Sequence, residues 1–92
     1  MAVDQLIDYT SNSYEFLTRV NAINMLKSKN LYDESLVNNL LDAIYSPNKR
    51  LRGPAKKYLK ELYKNEDVKF LIDKERKKKL FDWQITLLNN LK

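Results

Sequence analysis

The chain has 92 residues, 43% of them hydrophobic and 32% charged, with 17 Lys and Arg against 12 Asp and Glu for a net charge of +5, and it contains neither His nor Cys. That length makes one domain and excludes two, and the missing residue types exclude disulfides, thiolate or imidazole metal ligands, Cys or His nucleophiles and an imidazole general base. One Gly and two Pro are too few for the turns of an all-β fold, so the composition points to helices, and the positive balance to partners bearing phosphates or carboxylates.

The N-terminus, MAVDQLIDYT, has no basic segment followed by an apolar one, and no window approaches the roughly 18 apolar residues of a membrane span. A complete chain of this kind is expected inside the cell; for one domain of a longer protein the compartment stays open. Val3, Leu6 and Ile7 predict a short first helix, with Asp4 and Asp8 on its polar face and Ser11, Asn12 and Ser13 in the turn after it. The next helix is expected from about Tyr14 to Lys29, where Phe16, Val20, Ile23 and Leu26 form a stripe that Ala22 and Met25 widen. Asn30 suits a left-handed residue closing it.

Val37, Leu40, Leu41 and Ile44 fall at i, i+3, i+4 and i+7, the clearest helical period in the chain. Asp33 is placed to cap that helix, and Glu34 puts negative charge at the positive end of its dipole. Ser46 and Pro47 break the chain, after which Leu51, Ala55, Tyr58, Leu59 and Leu62 mark another face; so short a turn requires antiparallel packing. Gly53-Pro54 means that this helix either kinks or begins at Pro54. Val68, Leu71 and Ile72 predict one more short helix. Leu80, Phe81, Trp83, Leu87, Leu88 and Leu91 predict a final one, with its start near Asp73.

Arg19 to Ala22 overlays Arg52 to Ala55 at an offset of 33, which also brings Leu26 onto Leu59, and Asp33 matches Asp67 at 34. Periods in the thirties belong to helical-pair repeats, in which one pair cannot bury its apolar face alone. SPNKRLRGPAKKYL, through Leu51, Arg52, Ala55 and Leu59, resembles the HEAT-repeat family, whose second helix opens with a turn, an apolar-Arg pair and then Ala and Leu. The resemblance spans roughly Leu6 to Asn65. Thr18 precedes Arg19 in the first unit, and Ser46 stands where the family usually carries Asp. The order SNSYE turn, Arg-x-x-Ala helix, KNLYDE break and RLRGPA turn also looks like the C-terminal helical domains of M1-type zinc aminopeptidases, although the HExxH motif of that family is absent. The resemblance implies an all-α, short antiparallel α-solenoid with a terminal capping helix. It is expected as a single domain, 1–92, of about five helices: repeat one about 2–30, repeat two about 33–65, capping helices about 67–92. Leu26, Leu40, Leu41, Ile44, Ala55, Leu59 and Leu62 are the expected core.

Three groups are candidates for binding. Arg50, Arg52, Lys56, Lys57, Lys60 and Lys64 form a basic row along one helix, of the kind that HEAT-like solenoids binding DNA, the alkylpurine glycosylases among them, present on concave helices. Against this stands a plain solvated face, with Glu61 interrupting the row and pairing with Lys57 or Lys64. Lys74, Arg76, Lys77, Lys78 and Lys79 form the densest basic cluster, compatible with a membrane-surface or partner helix or with a solvated helix start. Phe81 and Trp83 are either partner or base anchors or the seal of the core. Asp4 and Asp8 share a helix face, without the Gly-rich loop or metal spacing that would make a catalytic pair of them.

The expected function is therefore a non-catalytic interaction or packing module without a cofactor. It would hold a protein partner or a neighbouring domain of a longer chain, an M1-type metallopeptidase in the most specific form. The alternative is a nucleic-acid-binding helical module using the basic row.

Overall fold

Asn30 and Asp33 divide the chain where the sequence places the division. Asn30 adopts a left-handed conformation (φ 55, ψ 37), its N–H reaching the Lys27 carbonyl at 3.1 Å and that of Leu31 the Leu26 carbonyl at 3.0 Å. The two bonds form a Schellman closure that uses carbonyls left free at the helix end. Three residues on, the Asp33 carboxylate accepts the Leu36 N–H at 2.8 Å and starts the next helix.

The computed structural model describes residues 2–91, and their regular structure is six helices with no strand. These are α1 (Val3–Asp8), α2 (Phe16–Lys29), α3 (Glu34–Ile44), α4 (Lys49–Leu62), α5 (Glu66–Arg76) and α6 (Asp82–Asn89). Short turns bring each helix back on its predecessor as α1 with α2, α3 with α4 and α5 with α6, while α3 touches both α1 and α5, and α2 lies along α4. None of the described helices is long and apolar enough to cross a membrane.

The core is continuous through all three pairs. Leu26, Leu40, Leu41, Ile44, Ala55, Leu59 and Leu62 are all buried, together with Leu6 and Ile7 of α1, Val68 and Ile72 of α5, and Leu88 and Leu91 at the end. Each fully buried Leu or Ile is worth roughly 1.5–3 kcal/mol in area removed from water. Ala22 joins this core, but Met25, which the sequence groups with it, is exposed. Two residues separate Met25 from Lys27, about 200° of helix, and Lys27 lies on the flank that meets α4.

Two boundaries differ from the sequence expectation. α4 begins at Lys49, capped by the Asn48 side chain, which accepts the Arg50 N–H at 3.0 Å, and it runs on through Pro54. Gly53 makes this possible: the clash that disfavours helical geometry before proline involves the Cβ that glycine lacks, and Gly53 is exposed with open space around it. At the other end, α5 extends to Arg76 and α6 starts only at Asp82, not near Asp73, so Leu80 and Phe81 precede the helix. No Gly or Pro marks this break in the sequence.

Pro54 has no N–H to give the Arg50 carbonyl. Replacing it, Pro54→Ala, is expected to raise stability by about 1–3 kcal/mol, measured as the urea unfolding midpoint at unchanged slope. A lower midpoint would mean that the ring's packing outweighs the missing bond.

Candidate functional site

Charge is sorted between the two sets of helices. Nine of the twelve carboxylates belong to α1, α3, α5 or the N-cap of α3, and nine of the seventeen Lys and Arg belong to α2 and α4. The first helix of each pair is thus acidic, and the middle second helix, α4, strongly basic.

The basic row stands on the side of α4 away from Leu51, Ala55, Tyr58 and Leu62. Arg50, Lys57 and Lys60 are exposed, and Arg52 and Lys56 half-buried. Lys64 lies past the helix end, in the turn before α5. Glu61 does not interrupt the row in the expected way. It points to the flank shared with α2 and pairs with Lys27 at 3.7 Å, and not with Lys57 or Lys64. Among the described residues, the row makes no ion pair.

The Lys74 to Lys79 cluster is divided. Its first part forms the last turn of α5, where cations meet the negative end of the helix dipole. This differs from the helix start that the sequence predicts for the cluster, where the dipole would oppose it. Arg76 pairs with Asp73 at 2.9 Å and donates to the Leu88 carbonyl at 3.2 Å, tying α5 to α6, while its Nε is buried without a partner among the described residues. Lys78 pairs with Glu75 at 2.9 Å. Lys74, Lys77 and Lys79 remain exposed.

Phe81 and Trp83 do not seal the core: they are 72% and 52% exposed, and Leu88 and Leu91 fill that role. Trp83 meets the Tyr45 ring edge-to-face at 5.9 Å, while the Tyr45 hydroxyl donates to Glu75 at 3.1 Å. Burial, with the Glu75 carboxylate beside it, pushes the Tyr45 phenol well above its usual range. A polar groove of about 380 Å³ runs between α3 and α5 beside this cluster, floored by Leu41 and Leu71 and lined by Glu34, Asp42, Lys74 and Glu75. Asp4 and Asp8 line a shallower groove between α1 and α3. No group of three or more candidate metal ligands occurs among the described residues.

One buried polar network lies outside the sequence candidates. Arg19, only 6% exposed, donates through Nε to the Thr10 carbonyl at 2.9 Å and pairs with Asp42 at 3.1 Å. Asn39 donates to the Thr10 hydroxyl at 3.0 Å and to the Ile7 carbonyl at 3.3 Å. The network joins α2 and α3 to the end of α1. Its signal in the sequence is a guanidinium set within an apolar stripe. Arg52, its counterpart at the offset of 33, makes no such contact.

Tyr58 makes a further cross-helix polar contact, from inside the core. It is fully buried in α4 and donates to the Leu31 carbonyl, with the Leu26 carbonyl 3.3 Å away, so it grips the closure of α2. Burial, then the charge of Glu61, pushes its phenol up to about 12.

The chain matches no family model, no curated protein and no solved structure.

Arg19→Ala is expected to cost about 2–4 kcal/mol, because Thr10 and Asp42 lose their buried donor, and Arg52→Ala under about 1 kcal/mol; parallel thermal melts measure both. Equal costs would contradict the asymmetry. For Tyr58 the folded chain holds the phenolic proton more tightly than the unfolded chain, where tyrosine titrates near 10. Its contribution is therefore complete below pH 10 and is lost as pH rises through about 12. Tyr58→Phe should flatten the loss of helical signal in that window.

Proposed function

We propose that this chain is a non-catalytic interaction module, a short HEAT-like stack of helix pairs that holds a protein partner or a neighbouring domain. The observation that carries the reading is the pattern of contacts. Each helix meets its pair-mate, and the pairs meet through like helices, α1 with α3 with α5 and α2 with α4. Such stacks bury a continuous core pair by pair and offer long outer surfaces to partners. The offset of 33 between Arg19-x-x-Ala22 and Arg52-x-x-Ala55 supports the same reading. An M1-type metallopeptidase partner domain is its most specific form, resting on the turn and helix motifs alone. The two capping helices then act as a third pair.

A stack of this kind is least protected at its ends. Native-state hydrogen exchange is expected to be slowest in α3 and α4, which as a pair meet α1 and α2 on one flank and α5 on the other, and fastest in α1 and α6. Uniform protection across all six helices would sink the stack reading.

A second reading, nucleic-acid binding by α4, is favoured by one observation: Arg50, Lys56, Lys57 and Lys60 share an outward region without an ion-pair partner among the described residues. A row of free cations neutralises phosphates by releasing their counterions, so affinity should fall steeply with salt. The test is binding of labelled random-sequence duplex and single strand across a salt series, with Lys56→Glu and Lys60→Glu combined as control. Micromolar binding at low salt that disappears in the double variant establishes this second reading. Unchanged binding in that variant, or none at any salt, removes it.

A further inference from the structure

We propose that the groove between α3 and α5 is a docking site for a basic segment of a protein partner, one that carries an apolar anchor flanked by Lys or Arg. This rests on the interaction-module reading above and names the chemistry of the partner.

Two cavities adjoin here. The polar groove beside Tyr45 and Glu75 shares Glu34, Leu71 and Lys74 with a second cavity, of about 370 Å³, between the turn before α3 and the first half of α5. Together they reach from Asp33 to Tyr45, the length of α3, or about 18 Å at 1.5 Å per residue. An extended segment covers that distance in roughly six residues. The second cavity is the apolar end. Tyr32, Val37, Phe70 and Leu71 line it, and Phe70 is 68% exposed. A large apolar side chain is thus left open to water beside a hollow that it helps to form.

Charge selects the occupant. Five carboxylates and two lysines line the two cavities, a net of −3 in a chain of net +5, so the groove opposes the sign of the chain that carries it. Asp42 and Glu75 are matched within the fold by Arg19 and Lys78. Asp33, Glu34 and Asp67, at the apolar end, are not: none of them forms an ion pair among the described residues. Asp33 accepts the Leu36 N–H at 2.8 Å, and Asp67 accepts the Tyr32 hydroxyl at 3.2 Å and the Val68 N–H at 3.0 Å, all uncharged donors. The starts of α3 and α5 offset about half a charge each, and Lys74 is the one cation bordering this cavity, which leaves it negative. The three carboxylates do not converge closely enough to hold a metal ion, and a polyanion is repelled. A side chain that fills the apolar end while its cationic neighbours meet these carboxylates answers both features of the groove.

Amide NMR of the full chain, titrated with three peptides, tests this. The probes are two Leu between four Lys on each side, the same peptide with Glu for Lys, and deca-lysine. The Lys–Leu peptide is expected to shift amides of α3, of the turn before it and of α5. Deca-lysine should bind about tenfold more weakly or worse, the worth of a buried Leu, and the Glu–Leu peptide should leave these amides unmoved. Phe70→Ser is expected to weaken the Lys–Leu peptide about tenfold and Glu34→Lys roughly fivefold, while Lys56→Glu on α4 leaves it unchanged. If circular dichroism shows either groove variant unfolding, Phe70→Ala or Glu34→Gln replaces it.

Silence of these amides up to millimolar Lys–Leu peptide, an equal response to the Glu–Leu peptide or to deca-lysine, or undiminished binding by both groove variants overturns the proposal. So does a shift of the same amides on diluting the protein alone, which would mean that a second copy fills the groove. Slowest exchange in α3 and α4 with a silent groove removes this docking site and keeps the stack. Uniform exchange with shifts confined to the groove removes the stack and keeps the docking site.

Discussion

Two amphipathic helices can hide their apolar faces against each other, but the flanks of the pair stay bare until something covers them. That constraint organises this chain. α3 and α4, through Leu36, Leu40, Ile44, Leu51, Leu59 and Leu62, reach complete burial because α1 and α2 lie on one flank and α5 on the other. The closures between pairs serve the same demand. Asn30 folds the end of α2 back on itself, Asp33 restarts the chain, and the Tyr58 hydroxyl from α4 holds that junction from inside the core.

Polar contacts then distinguish units that the apolar pattern makes alike. Arg19 and Arg52 occupy matching places in consecutive pairs, yet only Arg19 finds a carbonyl and a carboxylate within the fold. Thr10, Asn39 and Asp42 surround it because the turn after α1 passes over its head group. At the corresponding place one pair further on, Glu75 is engaged by Tyr45 and Lys78, and Arg52 stays at the edge of the basic row. Two arginines 33 residues apart thus differ in fate: Arg19 is a buried structural cation, and Arg52 stays half-buried beside the exposed cations of α4.

Much of this was legible in the sequence. The period from Val37 to Ile44, the cap at Asp33 and the closure at Asn30 depend on neighbours within a few residues, so spacing alone identifies them. The continuation of α4 through Pro54 was not, because it depends on Gly53 relieving a clash rather than on either residue's usual behaviour. Nor was the fate of the Lys74 to Lys79 run, since six charged residues carry no period and no breaker marks the end of α5. The exposure of Phe81 and Trp83 escaped for a different reason. Hydrophobicity tells how much a side chain gains from burial but not whether its helix has a neighbour on that side. The partner of Glu61 depends on the position of α2, which local spacing does not encode.

A helix resists bending because every turn is bound to the next, and α4 lacks one such tie at the Arg50 carbonyl, beside a glycine with open space around it. The gap falls between Arg50 and Arg52 on one side and Lys56, Lys57 and Lys60 on the other. The two halves of the basic row therefore meet at the point of lowest flexural stiffness in the helix, and the curvature of the row adjusts there at less elastic cost than anywhere else along it.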